Sequence, residues 1–172
     1  PTQLAQAAEP IGKVEELSGT VTATRADGTQ VTLSKGDSIF QGDKIDTADG
    51  GAVGLVFIDD TTFALGESGS MVMDEMVYDP ATKEGTFSAN VAQGVFSFVS
   101  GQISKSSVDA MSIETPVVTI GIRGTTGAGE AGPEGSPNRV SLLPDASGNT
   151  GEMTVAPSGG GAAVTLNVPG AT

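Results

Sequence analysis

The chain has 172 residues, 37% of them hydrophobic, and a net charge of −13 from 21 acidic and 8 basic side chains. It contains neither cysteine nor histidine, which excludes disulfides, cysteine nucleophiles, Cys/His zinc sites and serine catalysis with a histidine base. Its acidity, and the lack of any apolar run near the roughly 20 residues that span a bilayer, predict no nucleic-acid partner and no membrane insertion.

The first ten residues, Pro1–Pro10, form a mildly apolar leader without a strand pattern of its own. Since the sequence starts without Met or a basic segment, we expect a processed mature form or an excised piece of a longer protein. A regular β pattern begins at Ile11. Asp27-Gly28 then separates two alternating runs, Gly19–Thr24 and Thr29–Leu33, and Asp-Gly in that position is a strong signal for a β-hairpin.

A Gly-Asp step occurs twice in the next stretch, as Gly36-Asp37 and Gly42-Asp43. Glycine reaches positive φ at little cost, and the aspartate beside it can bond the local backbone, so each step predicts a turn. The two steps are six residues apart, which leaves room only for very short strands. The glycines for which we predict a turn conformation are Gly28, Gly36, Gly42, Gly121 and Gly124.

Longer strands are predicted in the middle of the chain. Their bounds are Ala52–Ile58, Thr62–Leu65, Met71–Tyr78 and Thr86–Val99, with a Pro- and Gly-bearing loop at Asp79–Gly85. In the last strand, apolar residues alternate from Phe87 to Val91 and resume at Phe96 after Gly94. A glycine in such a place indicates a β-bulge or a close approach of another backbone.

The last third of the chain continues the β pattern. Ile113–Thr126 is the most apolar strand region, and Gly127–Pro137 has the composition of a flexible loop. Further short strands are predicted at Asn138–Leu143, Glu152–Ala156 and Ala163–Val168, and the only helical candidate is the short segment Ser106–Met111. The pattern predicts an all-β fold of short strands: a β-roll or jelly-roll-like domain, or a partly solenoidal sandwich, with a C-terminal β-meander.

Ordered motifs between Ile11 and Thr126 resemble the FecR-type domain. They are Gly19-Thr20-Val21, Asp27-Gly28, Leu33-x-x-Gly36-Asp37, Gly42-Asp43-x-Ile45-x-Thr47, Phe57-x-Asp59-x-Thr61, Leu65-Gly66, Ser68, Gly94-x-Phe96, Glu114-Thr115-Pro116 and Ile120-Gly121-Ile122-Arg123-Gly124-Thr125. The resemblance implies a non-catalytic, β-rich extracytoplasmic module, as found in periplasmic regulators of iron uptake and in large exported surface proteins. The membrane anchor and cytoplasmic segment of the regulators are not visible in this sequence, and the stretch after Thr126 resembles extensions on secreted members.

A concentration of aspartates raises the question of calcium. Carboxylates on turns suit Ca²⁺, which takes six to eight oxygen ligands, but the spacing is neither an EF-hand nor a calcium-binding β-roll. The alternative is that each aspartate caps its own turn, and we favour that interpretation. The candidate ligands are Asp37, Asp43, Asp46, Asp49, Asp59 and Asp60.

Arg123 is the only cation in a stretch of Val, Ile and Thr. A buried guanidinium needs a partner, so we predict a structural ion pair with a carboxylate: Glu114, Asp59 or Asp60. The functional alternative is an anion site that combines Arg123 with the backbone around Gly121 and Gly124.

Catalysis is not expected. Asp74 and Glu75 are neighbours on a strand and point to opposite faces, so they cannot flank one glycosidic bond. Gly159-Gly160-Gly161 lacks the Gly-Lys-Ser/Thr continuation of a phosphate loop.

The predicted organisation is a leader at 1–10 that can act as a donor strand, a FecR-like β-domain at 11–126, and a loop with a C-terminal β-extension at 127–172. We expect an exported, non-enzymatic structural protein, extracellular or at the cell surface, that associates with itself. Its leader or the strand at Ala163–Val168 would complete a sheet edge of the next copy. The alternatives are a periplasmic sensory or ligand-binding module and one domain of a large secreted adhesin.

Overall fold

The computed structural model describes residues 9–107, 110–133, 135–136, 138–144, 148, 150–158 and 160–168. Within these ranges the chain is almost entirely β. The strands are β1 Gly12–Ser18, β2 Val21–Thr24, β3 Gln30–Thr32, β4 Ser38–Ile39, β5 Lys44–Thr47, β6 Ala52–Phe57, β7 Thr62–Leu65, β8 Ser70–Asp79, β9 Glu84–Val99, β10 Met111–Glu114, β11 Val118–Arg123, β12 Thr126–Ala131, β13 Arg139–Leu143, β14 Glu152–Pro157 and β15 Val164–Leu166, with one helical turn, α1, at Ile103–Ser106.

The strands form two sheets that share β9. The first sheet has the order β4–β1–β6–β7–β9–β12–β13, and the second has the order β3–β2–β5–β8–β9–β10–β11–β14–β15. Strands β9 and β10 pair in parallel, and the other pairings are antiparallel. The predicted all-β sandwich is therefore confirmed.

Strand β9 passes from one sheet to the other at Gly94. Its first half pairs with β8 and β10, and its second half pairs with β7 and β12. Gly94 has φ +111°, and a Cβ there would lie 2.8 Å from the Cα of Gly69. Buried positions change from odd to even numbers across this point, from Phe87–Val91 to Phe96–Phe98. Of the two features predicted at this glycine, the close approach of another backbone is confirmed, and a register shift lies just before it, between Val91 and Gln93.

The core lies between the inner faces of the two sheets. Phe57 of the first sheet meets Phe87 of the second edge to face, with ring centroids 5.1 Å apart. Aliphatic and methionine side chains such as Leu55, Met71 and Ile120 fill the rest, each almost fully buried. Burial of a side chain of this size contributes about 1.5–3 kcal/mol, so the sandwich is stabilised mainly along this layer.

The two Gly-Asp steps are corners, as predicted. Gly36 and Gly42 have φ of +89° and +85°, and the strand between them, β4, has two residues. Gly28 (φ +88°) lies in the β2–β3 hairpin, and Gly124 (φ +52°) lies between β11 and β12. Gly121 was wrongly predicted as a turn residue: it lies inside β11, opposite Ser112 and Thr154.

The segment predicted as a flexible loop, Gly127–Pro137, begins as a strand. Residues 126–131 form β12, which pairs with both β9 and β13. Cβ atoms at Gly127 and Gly129 would lie 2.6 Å from Phe98 Cζ and Phe96 Cζ. These glycines leave space for aromatic rings, so their number here reflects close packing rather than flexibility.

Two smaller predictions also needed correction. The strand region Ile113–Thr126 is not one strand: it covers the end of β10 and all of β11. The two strands are joined at Thr115–Val117, where the Thr115 hydroxyl accepts a 3.0 Å hydrogen bond from the Val118 N–H. The helical turn is α1 at Ile103–Ser106, earlier than Ser106–Met111, of which residues 108–109 lie outside the described ranges.

Candidate functional site

The six candidate calcium ligands do not converge. Among the described residues, no group of three acidic side chains could hold a metal ion. Instead, Asp37 accepts a 2.8 Å hydrogen bond from the Ser34 N–H, and Asp46 lies 3.9 Å from Lys44 Nζ. Asp49 and Asp60 are exposed. The turn interpretation holds for Asp37, as it does for Asp43 and Asp59 below, and calcium binding by these aspartates stays a prediction that the described geometry does not favour.

Asp43 is buried in an ion pair that the sequence did not indicate. Its Oδ2 accepts hydrogen bonds from Arg25 Nη1 and from the Phe40 N–H, the latter at 2.9 Å. The Arg25 guanidinium also lies 4.9 Å from the centroid of the Phe40 ring. Among the described residues Asp43 Oδ1 finds no hydrogen-bond partner, although Asp43 is only 1% exposed. Arg25, on the β2–β3 side, thus fixes the second Gly-Asp corner.

Asp59 and Thr61 connect the β6–β7 turn to the segment before α1. Asp59 Oδ2 accepts a 2.8 Å hydrogen bond from the Thr61 hydroxyl and a 3.2 Å hydrogen bond from the Ile103 N–H. The Thr61 hydroxyl oxygen accepts a 2.9 Å hydrogen bond from the Gly101 N–H. Asp59 and Thr61 are both 0% exposed. The carboxylate therefore has a structural role, as a junction between two segments about 40 residues apart.

The ion pair predicted for Arg123 is absent from the salt bridges that the described residues form. Arg123 and Glu114 are both exposed, and in register Arg123 lies opposite Glu152 while Glu114 lies opposite Thr119 and Asn90. The prediction failed because Arg123 follows the buried Ile122 by one residue, and in a strand this places its side chain outward. The alternative was an anion site formed by Arg123 and the backbone around Gly121 and Gly124. It is not supported, because Gly121 lies inside β11 and not in a turn.

The sandwich is open where β13 of the first sheet faces β14 and β15 of the second. A groove of about 390 Å³ lies there, and its lining residues are Val118, Asn138, Arg139, Val140, Val155, Val164 and Leu166. Val164 is 58% exposed, and Val118 and Val155 are half-buried. We call this space the edge groove. It depends on strands distant in sequence, so no local motif could have revealed it.

Both strands that border the edge groove end a sheet within the described part of the chain. Strand β13 pairs with β12, and β15 pairs with β14. An edge strand presents backbone N–H and C=O groups on its outer side, which template pairing with a further strand. The edge groove therefore combines a sheet edge with an apolar space for side chains, which is the combination used in β-strand addition.

The leader precedes β1 in the sequence. Strand β1 has β4 and β6 as neighbours and lies toward one edge of the first sheet, whereas β13 ends the sheet on the other side. The leader was predicted as a donor strand, and residues 1–8 lie outside the described residues. Within the described residues there is also no helix of the length and apolarity that cross a membrane.

These features define a class: an all-β sandwich of short strands turned on glycine–aspartate corners, with an apolar groove at an open sheet edge. The chain belongs to the FecR family, since the family described as FecR protein matches residues 43–144, more than half of the chain. A solved structure titled "Cell surface anchoring domain" is similar at 32% identity, over 37% of this chain and 83% of that chain, with a TM-score of 0.36. No curated protein matches.

Proposed function

We propose that the protein is an exported, non-enzymatic structural subunit that polymerises by strand exchange. In this mechanism the leader, residues 1–10, pairs with the outer edge of β13 in the next copy. The observation that carries the proposal is the edge groove beside β13, an apolar space at a sheet edge with Val164 exposed in it. Leu4, the one large aliphatic residue of the leader, is the side chain we assign to this groove.

The positions of donor and acceptor favour an open polymer. The leader is followed in the sequence by β1, and β13 is the strand at the far edge of the same sheet. A contact that joins one surface of a copy to a different surface of the next copy is heterologous. Such contacts generate a ring or an open filament rather than a closed dimer. Ten extended residues reach about 33 Å, which is enough to bridge to a neighbouring copy.

The structure changes one part of the prediction from sequence. The strand at Ala163–Val168 was the alternative donor, but β15 pairs with β14 of its own chain at Met153–Val155. We therefore assign β15 to the acceptor side, as one wall of the edge groove. Family membership fits a periplasmic or cell-surface role, and polymerisation favours the cell surface or the extracellular space.

Sedimentation velocity and negative-stain microscopy of the purified chain test the proposal. We expect the full chain to form filaments, and a chain lacking residues 1–10 to stay folded and form none. A labelled peptide with the sequence of residues 1–10 should bind the shortened chain. Val164→Glu should remove this binding, because it places a charge in the edge groove, whereas Val77→Glu should not. Val77 is a matched control at 59% exposure, on the β8–β9 hairpin.

Two outcomes would contradict the mechanism. Filaments that persist without residues 1–10 would exclude the leader as donor. A full chain that remains monomeric at every concentration would reject polymerisation itself, and would favour the periplasmic sensory module or the adhesin domain instead.

A further inference from the structure

The central strands of the first sheet are poor in charge on their outer face. On β6, β7, the second half of β9, and β12, only one of the outward-facing residues, Glu130, is charged. The others are Ala52, Gly54, Val56, Thr62, Ala64, Val95, Ser97, Val99, Thr126 and Ala128. Val95 and Val99 are 58% and 46% exposed. We call this surface the apolar face.

The strand register arranges the apolar face in rows. Gly54, Ala64, Ser97 and Ala128 stand side by side on four neighbouring strands. Beside them runs a second row that includes Val56, Thr62 and Val99. A depression of about 520 Å³ lies over the small residues, next to Glu16 and Val95. The surface is thus a shallow furrow with an apolar ridge along it.

The outer face of the second sheet provides a comparison within the same molecule. It carries hydroxyl side chains such as Ser88, Ser112 and Thr154. Charged residues are spread across four of its strands, at Lys44, Asp46, Glu114, Arg123 and Glu152. The lack of charge in the apolar face is therefore not a general property of this chain. Depletion of charge at the centre of a surface patch is characteristic of protein interfaces.

We propose that the apolar face binds the apolar face of a second copy of this chain. Two copies that each carry −13 repel one another, and they can approach most easily through a surface of low net charge. The charged side chains around the apolar face are Lys13, Glu15, Glu16, Glu130 and Arg139, which sum to −1. The proposal is independent of strand exchange, which uses the edge of this sheet and not its face.

The few charges also suit a twofold arrangement. A twofold axis parallel to the strands, between β7 and β9, lays β1 of one copy over β13 of the other. Glu16 pairs with Gly54, so it extends the row of small residues onto β1. On β13 the same row ends at Ser141, and Arg139 lies two residues from Ser141 on that strand. Glu16 of each copy then approaches Arg139 of the other, so the pair forms twice. Such isologous pairing is the rule in symmetric dimers.

The area indicates a weak contact. Together with the bordering strands β1 and β13, the apolar face covers six strands about 4.8 Å apart and about six residues long, which gives a contact surface of about 25 Å by 20 Å. This corresponds to about 1,000 Å² buried in the dimer, at the lower limit for specific interfaces. The contact would therefore act as a lateral association between filaments or as a concentration-dependent dimer.

Cysteine cross-linking is a direct test, because the chain contains no cysteine of its own. The proposed axis places Ala64 of one copy over Ser97 of the other, so an oxidised mixture of the Ala64→Cys and Ser97→Cys chains should form disulfide dimers. Ser112→Cys, on the outer face of the second sheet, is the control for random collision. Cross-linking of the mixture no faster than the control would overturn the proposal.

Sedimentation velocity in the chain lacking residues 1–10 separates this contact from strand exchange. We expect a concentration-dependent dimer whose dissociation constant rises at least tenfold with Ala64→Glu and stays within twofold with Ser112→Glu. Arg139→Glu alone should weaken the dimer, and Glu16→Arg combined with it should restore the dimer. A shortened chain that is monomeric at millimolar concentration, or one whose dimer tolerates Ala64→Glu, would refute the proposal, whatever happens to filament formation.

Discussion

Thr61→Val removes one hydroxyl from the junction between the β6–β7 turn and α1 while it preserves the side-chain shape. The hydroxyl donates to Asp59 Oδ2 at 2.8 Å and accepts from the Gly101 N–H at 2.9 Å, in a site with no exposure to solvent. After substitution, the Gly101 N–H loses this acceptor, and the carboxylate keeps its bonds from the Thr61 and Ile103 N–H groups.

The expected cost follows from these two bonds. A buried N–H without a partner costs about 1–3 kcal/mol, and a hydrogen bond to a charged group contributes about 1.5–3 kcal/mol, so we expect a loss of about 3 kcal/mol or more. For a chain of this length, 1 kcal/mol corresponds to about 2–4 °C in Tm, so Tm should fall by about 6–12 °C.

Urea and thermal unfolding followed by far-UV circular dichroism measure this loss. Thr62→Val is the matched control, since the neighbouring side chain is half-buried on the outer face and should change stability by less than about 0.5 kcal/mol. Thr61→Ser keeps the hydroxyl and should recover most of the stability. If Thr61→Val and Thr62→Val unfold alike, the junction does not stabilise the fold and the reasoning is wrong.

Three other predictions concern glycine packing and titration. Gly101→Ala should abolish soluble expression or lower Tm more than Thr61→Val, because the new Cβ would overlap the Asp59 carbonyl oxygen; a normal Tm would contradict the geometry. The hydrogen bond from the Thr29 N–H holds the pKa of Asp27 below its usual 3.8. The stabilisation of the folded state by the charged Asp27 carboxylate is therefore present above pH 3.8 and is lost as the pH falls through the lowered pKa. Carboxyl NMR titration should show a midpoint below 3.8, and Thr29→Pro should raise it. Desolvation, and to a smaller extent the charges of Asp59, Asp60 and Asp79, raise the pKa of Tyr78 above 10.0. The stabilisation of the folded state that comes from the neutral Tyr78 side chain is therefore present below pH 10.0 and is lost as the pH rises through the raised pKa. Tyr78 is the only tyrosine, so absorbance at 295 nm reports it alone, and Asp60→Asn should lower the midpoint.

The parts of the fold that local rules determine could be predicted from the sequence. Positive φ at Gly36 and Gly42 follows from residue chemistry within four residues, and so does the capping by Asp37. The irregularity of β9 around Gly94 was visible as a break in the two-residue alternation. These signals need no knowledge of what lies across the sheet.

The errors arose where a distant strand decides the outcome. Glycine composition predicted a loop at Gly127 and Gly129, but these residues are glycine because the Phe98 and Phe96 rings lie against them. Apolar neighbours predicted burial for Arg123, but the two-residue period places it outward. The edge groove depends on β11, β13, β14 and β15 meeting in space, which no single segment encodes.

The position of β9 in both sheets has a consequence for how the domain responds to load. This strand of 16 residues is hydrogen-bonded to β7 and β12 on one side of Gly94 and to β8 and β10 on the other. A pull on the first sheet is therefore transmitted through one continuous backbone to the second sheet. We therefore expect the two sheets to open together, so that amide exchange along β9 reports one cooperative opening. A domain built in this way would bear tension as a single unit.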